Sequence, residues 1–503
     1  MICANQTFLN DLEALAQQKK AAILNAEDKT VIKGTAYYVS NDGCDDNDGL
    51  TPETAWATNA KVSAADLKPG DGVLFRRGDI FRGAITTKSG VTYAAFGEGP
   101  KPRLYGWNKN LADAALWSEV DAAHHIWKLN ELILDCGTLV FNEGEAHCRK
   151  LIPSYRDGKF VCRDDESRDF IMAAEMTQDL DLFCRYDART HTNPSKGEDF
   201  PVPIIDFESY GELYLRCDAG NPGEVYSSIE ALPKIMMMRV GDQKNVHLDN
   251  LCLKYIGGHA VSAGGHCVGL HVTNCEIGWI GGSIQHYTGT DPNYPQGRRG
   301  SVTRYGNGVE IYGGCDDYLV SNNYIYQCYD AGITHQKTNF GHQNKCEMRN
   351  IRYLDNVIEY CVYSIEYFLE KLAGDTVSYM DDIVIAGNLM RYSGYGWGQQ
   401  RHNTDTPAHI KGWSYENTAS HYVIYNNIFD RAGYRMLHLV AKYKESLPVL
   451  VGNTFVQDAG MTLGQYGYNE QQEPAILPFD DKADVTVAEV FGDKDAKVYC
   501  ICK

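Results

Sequence analysis

No stretch of this sequence approaches about 18 consecutive apolar residues, so nothing in it reads as a membrane-spanning helix. Its 16 cysteines form no C-x-x-C pair, and the closest spacing is Cys500 to Cys502. Thiols so scattered predict free buried side chains rather than a disulfide framework. There is no glycine-rich dinucleotide loop after a strand, no P-loop and no H-E-x-x-H, so neither a cofactor nor a metal is assigned. A calcium ion held by loop carbonyls stays open. Asp45, Asp46 and Asp48 do not fit the helix–loop–helix calcium pattern, because Cys44 stands where it should start. They read as turn-forming acids. The first residues, MICANQTFLNDLEALAQQKKAAIL, lack a basic start and a continuous apolar run. They predict an amphipathic helix rather than a signal peptide, and with it a cytoplasmic location.

Positive charge is also scarce: 47 basic against 66 acidic residues give a net charge of −19 over 503 residues. An acidic surface repels phosphate backbones and anionic lipid, which argues against nucleic acid and membrane partners. Polyanionic polysaccharides are disfavoured less, since a local basic cleft could receive them. Hydrophobic residues at 44% and charged ones at 22% describe a folded chain, not a disordered one. Forty-eight glycines and 33 tyrosines point to tight turns and half-buried aromatics, hence to β-structure.

The organisation along the chain is uneven. A helical segment, 1–33, precedes short strands separated by Gly-Asp and Ser-Gly turns over 34–100. Residues 101–240 show no repeat and are read as an inserted, β-rich subdomain; Met236, Met237 and Met238 fall in a buried strand there. Over 241–460 an Asn recurs inside an apolar strand, at Asn250, Asn274, Asn323, Asn356, Asn388 and Asn427. The shortest period, Asn250 to Asn274, is 24 residues, and loops account for the longer ones. Several short strands per period of this length are the signature of a parallel β-solenoid, with the Asn as a stacked structural ladder. Residues 461–503 are left as a C-terminal extension.

After each Asn comes a second strand: HAVSA, GVEIY, GITHQ, YSIEY, AHIKG and RMLHL. Aligning them puts Val261, Val309, Ile333, Ile365, Ile410 and Leu437 inward. Side chains alternate with period two, so the next residues form an outward column: Ser262, Glu310, Thr334, Glu366, Lys411 and His438. A merely solvated face would favour Thr, Val and Tyr, whereas this one carries two Glu, a Lys and a His. Two long loops, 286–307 and 391–409, flank it, and loops inserted on one solenoid face usually build the binding site.

The opening YYVSNDGCDDNDGLTPETAW with LKPGDGVLFRRGDIFRG resembles the first rung of the right-handed parallel β-helix, pectate-lyase-like proteins. GNGVEIYGG…YLVSNNYIYQCYDAGITHQ resembles their central rungs, so the resemblance covers roughly 34–100 and 240–460. It implies an all-β right-handed parallel β-helix with a carbohydrate lying across the parallel sheet. The superfamily holds lyases, glycoside hydrolases, epimerases and non-catalytic adhesins, so the chemistry must come from the residues.

Glycoside hydrolysis needs two carboxyl groups, about 6.5–9.5 Å apart for inversion or about 5–5.5 Å for retention. Glu310 and Glu366 lie two rungs apart, about 9.6 Å between backbones. They are the expected acid/base pair, with Asp330 a third carboxylate that could replace either. Asp330 could instead cap a turn, and Glu366 could form a structural ion pair with Lys411. Thr334, His335 and Gln336, with Lys411 and His438, are the candidates for binding substrate from the sheet, although His335 alternates inward. Trp397, Trp413, Tyr287, Tyr294, Tyr305 and Tyr395 are candidate sugar platforms. Arg298, Arg299 and Arg304 form a local basic cluster that could hold a uronate or sulfate. The sequence thus predicts a hydrolase acting on oligosaccharides, with exo-action suggested by the loops. A uronate lyase, using Lys411 or an Arg as base, and a non-catalytic carbohydrate scaffold are the alternatives.

Overall fold

The computed structural model describes residues 1–156, 159–163, 165, 167–185, 189–192, 201–204, 210–287, 302–338, 346–370, 378–401, 407–468 and 474–501. The chain winds into a right-handed parallel β-helix. One face is an eleven-stranded sheet running from Ile80–Arg82 to Lys497–Ile501 and Ile2–Ala4, parallel throughout. An eighteen-stranded sheet supplies the other two faces, because Val261–Thr273 and Val309–Ser321 each bend through both. Three apolar columns fill the interior. Leu104, Leu253, Ile277, Ile325, Ile358, Met390, Phe429, Phe455 and Val498 stack on the first face, all buried. Val272, Val320, Tyr353, Ile385, Ile424 and Leu450 stack on the second. Val261, Val309, Ile333, Ile365, Ile410 and Leu437 stack on the third. Each fully buried aliphatic side chain contributes roughly 1.5–3 kcal/mol, so the repeat is held chiefly by these columns.

The asparagine ladder runs through Asn323, Asn356, Asn388, Asn427 and Asn453. The side-chain amide of each donates to the carbonyl oxygen of the next at 2.9–3.1 Å. Asp493 ends it by accepting from Asn453 Nδ2 at 2.8 Å. Asn250 and Asn274 do not belong to it, contrary to the sequence alignment. They occupy the preceding corner position, where Asn322, Asp355, Gly387, Asn426 and Gly452 also sit with φ between 51° and 68°. That corner needs left-handed backbone, which Asn, Asp and Gly tolerate best, so two Asn columns lie side by side and are one residue out of phase.

The N-terminal helix, Gln6–Leu24, is capped by Asn5, whose side chain accepts from Phe8 N. At about 1.5 Å per residue it is roughly 28 Å long, close to the five rung spacings, about 24 Å, between Tyr499 and Tyr324. It lies against that face: Leu12, Ala16 and Ile23 pack with Val357, Leu389 and Val456, and Phe8 stacks on Tyr499. Glu13 and Lys20 reach the buried ion cluster of Arg391, Glu359 and Asp430. Among the described residues Cys3 is disulfide-bonded, and twelve other cysteines are buried.

Strand pairing sets the edges of the insertion. Arg103–Tyr105 and Met238–Gly241 are already solenoid strands, pairing with Cys252–Ile256 and Val261–Thr273 respectively. Between them lies a mainly antiparallel sheet with Trp117–Asp121, Ile126–Leu129, Tyr210–Arg216 and Asp181–Arg185. The coil also runs on past residue 460: Thr462–Tyr468 pairs with Arg435–Ala441, and Lys497–Ile501 with Thr454–Asp458. Asp45 and Asp48 accept hydrogen bonds from Ala57, Thr58, Leu50 and Thr54, which closes their turn. Among the described residues no group of three or more His, Cys, Asp or Glu is placed to hold a metal ion.

Candidate active site

Parallel pairing places Ser262, Glu310, Thr334, Glu366, Lys411, His438 and Gln465 side by side on successive rungs. The residue before each, apolar in all but Gly464, faces the coil interior, so these side chains emerge together on one outer face. A second outward column follows two residues later, with Tyr312, Gln336 and Phe368 in register and Trp413 packed on Phe368 at 4.7 Å. Thr334 Oγ1, Gln336 Oε1 and Trp413 Nε1 are buried and make no hydrogen bond among the described residues.

Glu310 opens onto a cleft of about 310 Å³, lined by Lys234, Met236, His259, Ser262, Gln285, Tyr305 and Tyr312. A volume of this order is at the small end of ligand sites. The segment between Ile229–Pro233 and Met238–Gly241, where the chain returns from the insertion to the coil, supplies Lys234 and Met236 to one wall of the cleft. Met236 lines this wall instead of lying in a buried strand, and its sulfur accepts from His259 N at 3.2 Å. Glu310 is pinned through one oxygen: Oε2 accepts from Asn307 Nδ2 at 2.6 Å and lies 2.7 Å from His259 Nδ1. Asn307 N–H in turn donates to His259 Nδ1 at 2.9 Å, and Asn307 Oδ1 accepts from Ala331 N at 2.8 Å.

Across Thr334, Glu366 contacts Lys411 Nζ at 3.1 Å. Burial pushes its carboxyl up to about 7; Lys411 opposes this, and the negative charge of Asp330 adds to it. Asp330 accepts from Arg401 Nη1 at 2.5 Å. Lys411 stands 4.0 Å over the ring of Tyr363, and Arg401 lies 5.8 Å from the same ring. Three carboxyl groups therefore share this stretch of the face, each with its own polar partner. His438 stands further along the column; burial, Arg435 and Lys411 lower it to about 3, and Arg435 donates to its Nδ1.

Three residues expected to bind substrate lie elsewhere. His335 faces the interior, fully buried, stacked on Tyr367 at 5.2 Å and hydrogen-bonded to Tyr353, because its parity is that of the core column. Trp397 is 3% exposed, and its indole N–H donates to Gln327 O at 2.7 Å, so it anchors its loop. Arg304 is buried too; it donates to Gly282 O and Gly137 O and stacks over Tyr329, stapling the insertion to the coil. Tyr305 does line the cleft, with its ring 5.1 Å from His259. Tyr294, Arg298, Arg299 and the side chain of Tyr287 lie outside the described residues.

The sequence reading passed over His259, Asn307, Lys234, Gln285, Tyr312 and Arg401. Two of these carried a signal. His259 and Asn307 stand two positions before the inward Val261 and Val309, so the same register continued upstream sets them on neighbouring rungs.

The fold and this face together define a parallel β-helix with a line of carboxyl groups on its outer surface, beside a cleft walled in part by the chain's return from an inserted subdomain. No family model and no curated protein matches the chain. Among solved structures it is similar to XylC in complex with xylose, at 10% identity and a TM-score of 0.38, covering 92% of this chain and 86% of that one. It is also similar to a GH136 lacto-N-biosidase from Eubacterium ramulus (12%, 0.37, 98% and 71%). A polygalacturonase from Erwinia carotovora ssp. carotovora is another (10%, 0.32, 89% and 97%).

Proposed function

We propose that this protein hydrolyses a glycosidic bond in an oligosaccharide laid across the outer column. The observation that carries the reading is Glu366, a buried carboxyl group raised to about 7, two rungs from a second carboxyl group that opens onto a cleft. In this scheme Glu366 is the acid and protonates the leaving glycosidic oxygen. Asp330 supplies the like charge that helps to keep Glu366 protonated near neutral pH. Glu310 receives a proton from the attacking water at Oε1, which accepts no hydrogen bond from any described residue. The water oxygen bonds to the anomeric carbon as its bond to the leaving oxygen breaks. Backbones about 9.6 Å apart suit a water between the two groups, hence inversion. A cleft with room for few atoms beyond one sugar ring favours cleavage from a chain end. Tyr305 and Tyr312 offer aromatic faces for CH contacts.

The test is mass spectrometry of products from neutral and uronate-containing oligosaccharides, with wild type, Glu366→Gln and Glu310→Gln. Fragments that together gain one water, and that both variants lose, support hydrolysis. Unsaturated fragments summing to the intact mass would overturn it in favour of a lyase. Binding without cleavage would leave a carbohydrate scaffold.

A further inference from the structure

We propose that a second cavity, between the inserted subdomain and the loop that carries Arg401, binds an anionic group, a carboxylate or a sulfate ester, borne on a saccharide. The anion site stands on the walls of the cavity alone; its delivery by a saccharide rests on the hydrolase reading. The cavity holds about 610 Å³, within the roughly 300–1,000 Å³ of small-molecule sites. Arg149, Arg163, Arg168 and Arg401 all line it, and among the described residues Glu175 is the one carboxylate that does. In a chain of net charge −19, four guanidinium groups around one concavity reverse the sign of the surface locally.

The acids that balance these cations stand mostly behind the wall. Asp181 is fully buried and takes Nε and Nη2 of Arg149 at 2.6 and 2.7 Å, which fixes the guanidinium and leaves Nη1 outside that pair. Asp330 holds Arg401 through Nη1 at 2.5 Å. Lys150 lines the cavity too, but its ammonium is buried against Asp135 and is spent there. Arg168 is held least: it lies 3.4 Å from Asp165 and 3.7 Å from Glu175, with its side chain 59% exposed. It is the cation with most freedom to turn to an incoming anion. The two walls are fastened to each other, since Gln400 accepts from Lys150 N at 3.2 Å and donates to Cys148 O at 2.9 Å. A cavity already in place costs a ligand little reorganisation. The planar guanidinium fork also matches two oxygens of a carboxylate or sulfate, as an ammonium does not. Arg401 ties the cavity to the outer column. The same side chain holds Asp330 and lies 5.8 Å from the Tyr363 ring, over which stands Lys411, the partner of Glu366. An anionic unit in the cavity is thus one side chain away from the carboxyl groups of the column.

Calorimetric titration of the full chain tests this with glucuronate, glucose sulfated on its primary hydroxyl, and neutral glucose, at about 50 mM salt, where charge is weakly screened. At least one anionic sugar should bind with a Kd near or below about 1 mM, and at least about tenfold more tightly than glucose. The tighter of the two tells carboxylate from sulfate. Arg168→Gln, at an exposed side chain, should weaken that binding by about fivefold or more with an unchanged thermal midpoint. Arg149→Lys keeps a charge opposite Asp181 but loses the fork, and should weaken it as well. Anionic sugars that bind no better than glucose overturn the proposal. So does an anion affinity that both variants leave within about twofold of wild type, since the anion then sits elsewhere. Wild type that binds the anion through these arginines but cleaves no oligosaccharide would keep this site and remove the hydrolase reading. Cleavage of neutral chains without anion binding would do the reverse.

Discussion

Replacing Glu366 by glutamine should abolish turnover and, at alkaline pH, make the protein more stable than the wild type. The carboxyl rises from an ordinary 4.5 to about 7 on folding, chiefly because it is buried. Between those values the folded protein keeps a proton that the unfolded chain has released, so stability falls as pH climbs through that window and levels off above it. At about 1.36 kcal/mol per pH unit the whole effect is roughly 3 kcal/mol. Glutamine has the shape of the protonated acid, and its carbonyl can still accept from Lys411. It does not ionise, so the variant escapes the penalty. Thermal midpoints of both proteins from pH 4 to pH 8.5 provide the assay. Near pH 4 the two should differ little. The variant should gain progressively, by a few degrees, as pH approaches 8. A difference independent of pH, or one that grows toward acid, would show that Glu366 is not a raised carboxyl group and would remove the acid from the proposed mechanism.

Asp330→Asn takes away the charge that helps to raise Glu366 and leaves Lys411 and Arg401 in place. The alkaline limb of the kcat profile should move to lower pH, and an unmoved limb would separate the two carboxyl groups. Asn356→Ala removes four ladder hydrogen bonds of 2.9–3.0 Å, to Asn323, Val320 and Asn388. With about 1–3 kcal/mol for each buried group left unsatisfied, a loss of roughly 3–6 kcal/mol is expected. Hydrogen exchange at Asn323 and its neighbours should accelerate; unchanged exchange would mean the ladder is ornamental. Trp397→Phe deprives Gln327 O of its donor, costing about 1–3 kcal/mol of stability, with KM within about twofold. A tenfold rise in KM would restore Trp397 as a sugar platform.

Much of the architecture could be read from one-dimensional pattern, and residues show why. Val261, Val309, Ile333 and Ile365 recur in strands whose side chains alternate strictly, so aligning them also orders Ser262, Glu310, Thr334 and Glu366. Parity likewise argued that His335 points inward, and the structure buries it. The ladder was misread at Asn250 and Asn274 because corner and ladder positions both favour Asn, for different reasons. One needs left-handed backbone and the other an amide that donates and accepts.

Sequence by itself thus determined the coil, its outward column and the carboxyl groups on it, since these follow from local alternation repeated at each rung. Only the tertiary structure decided what surrounds them. Lys234 is 76 residues from Glu310, and Arg401 is 71 residues from Asp330. No periodicity brings them together; the chain's return from its insertion and the docking of a long loop do. Trp397 and Arg304 show the converse, since aromatic and cationic loop residues that suited a sugar site are consumed in fastening those segments. The raised carboxyl of Glu366 is tertiary in the same sense, because burial and a neighbouring charge exist only once the rungs are stacked.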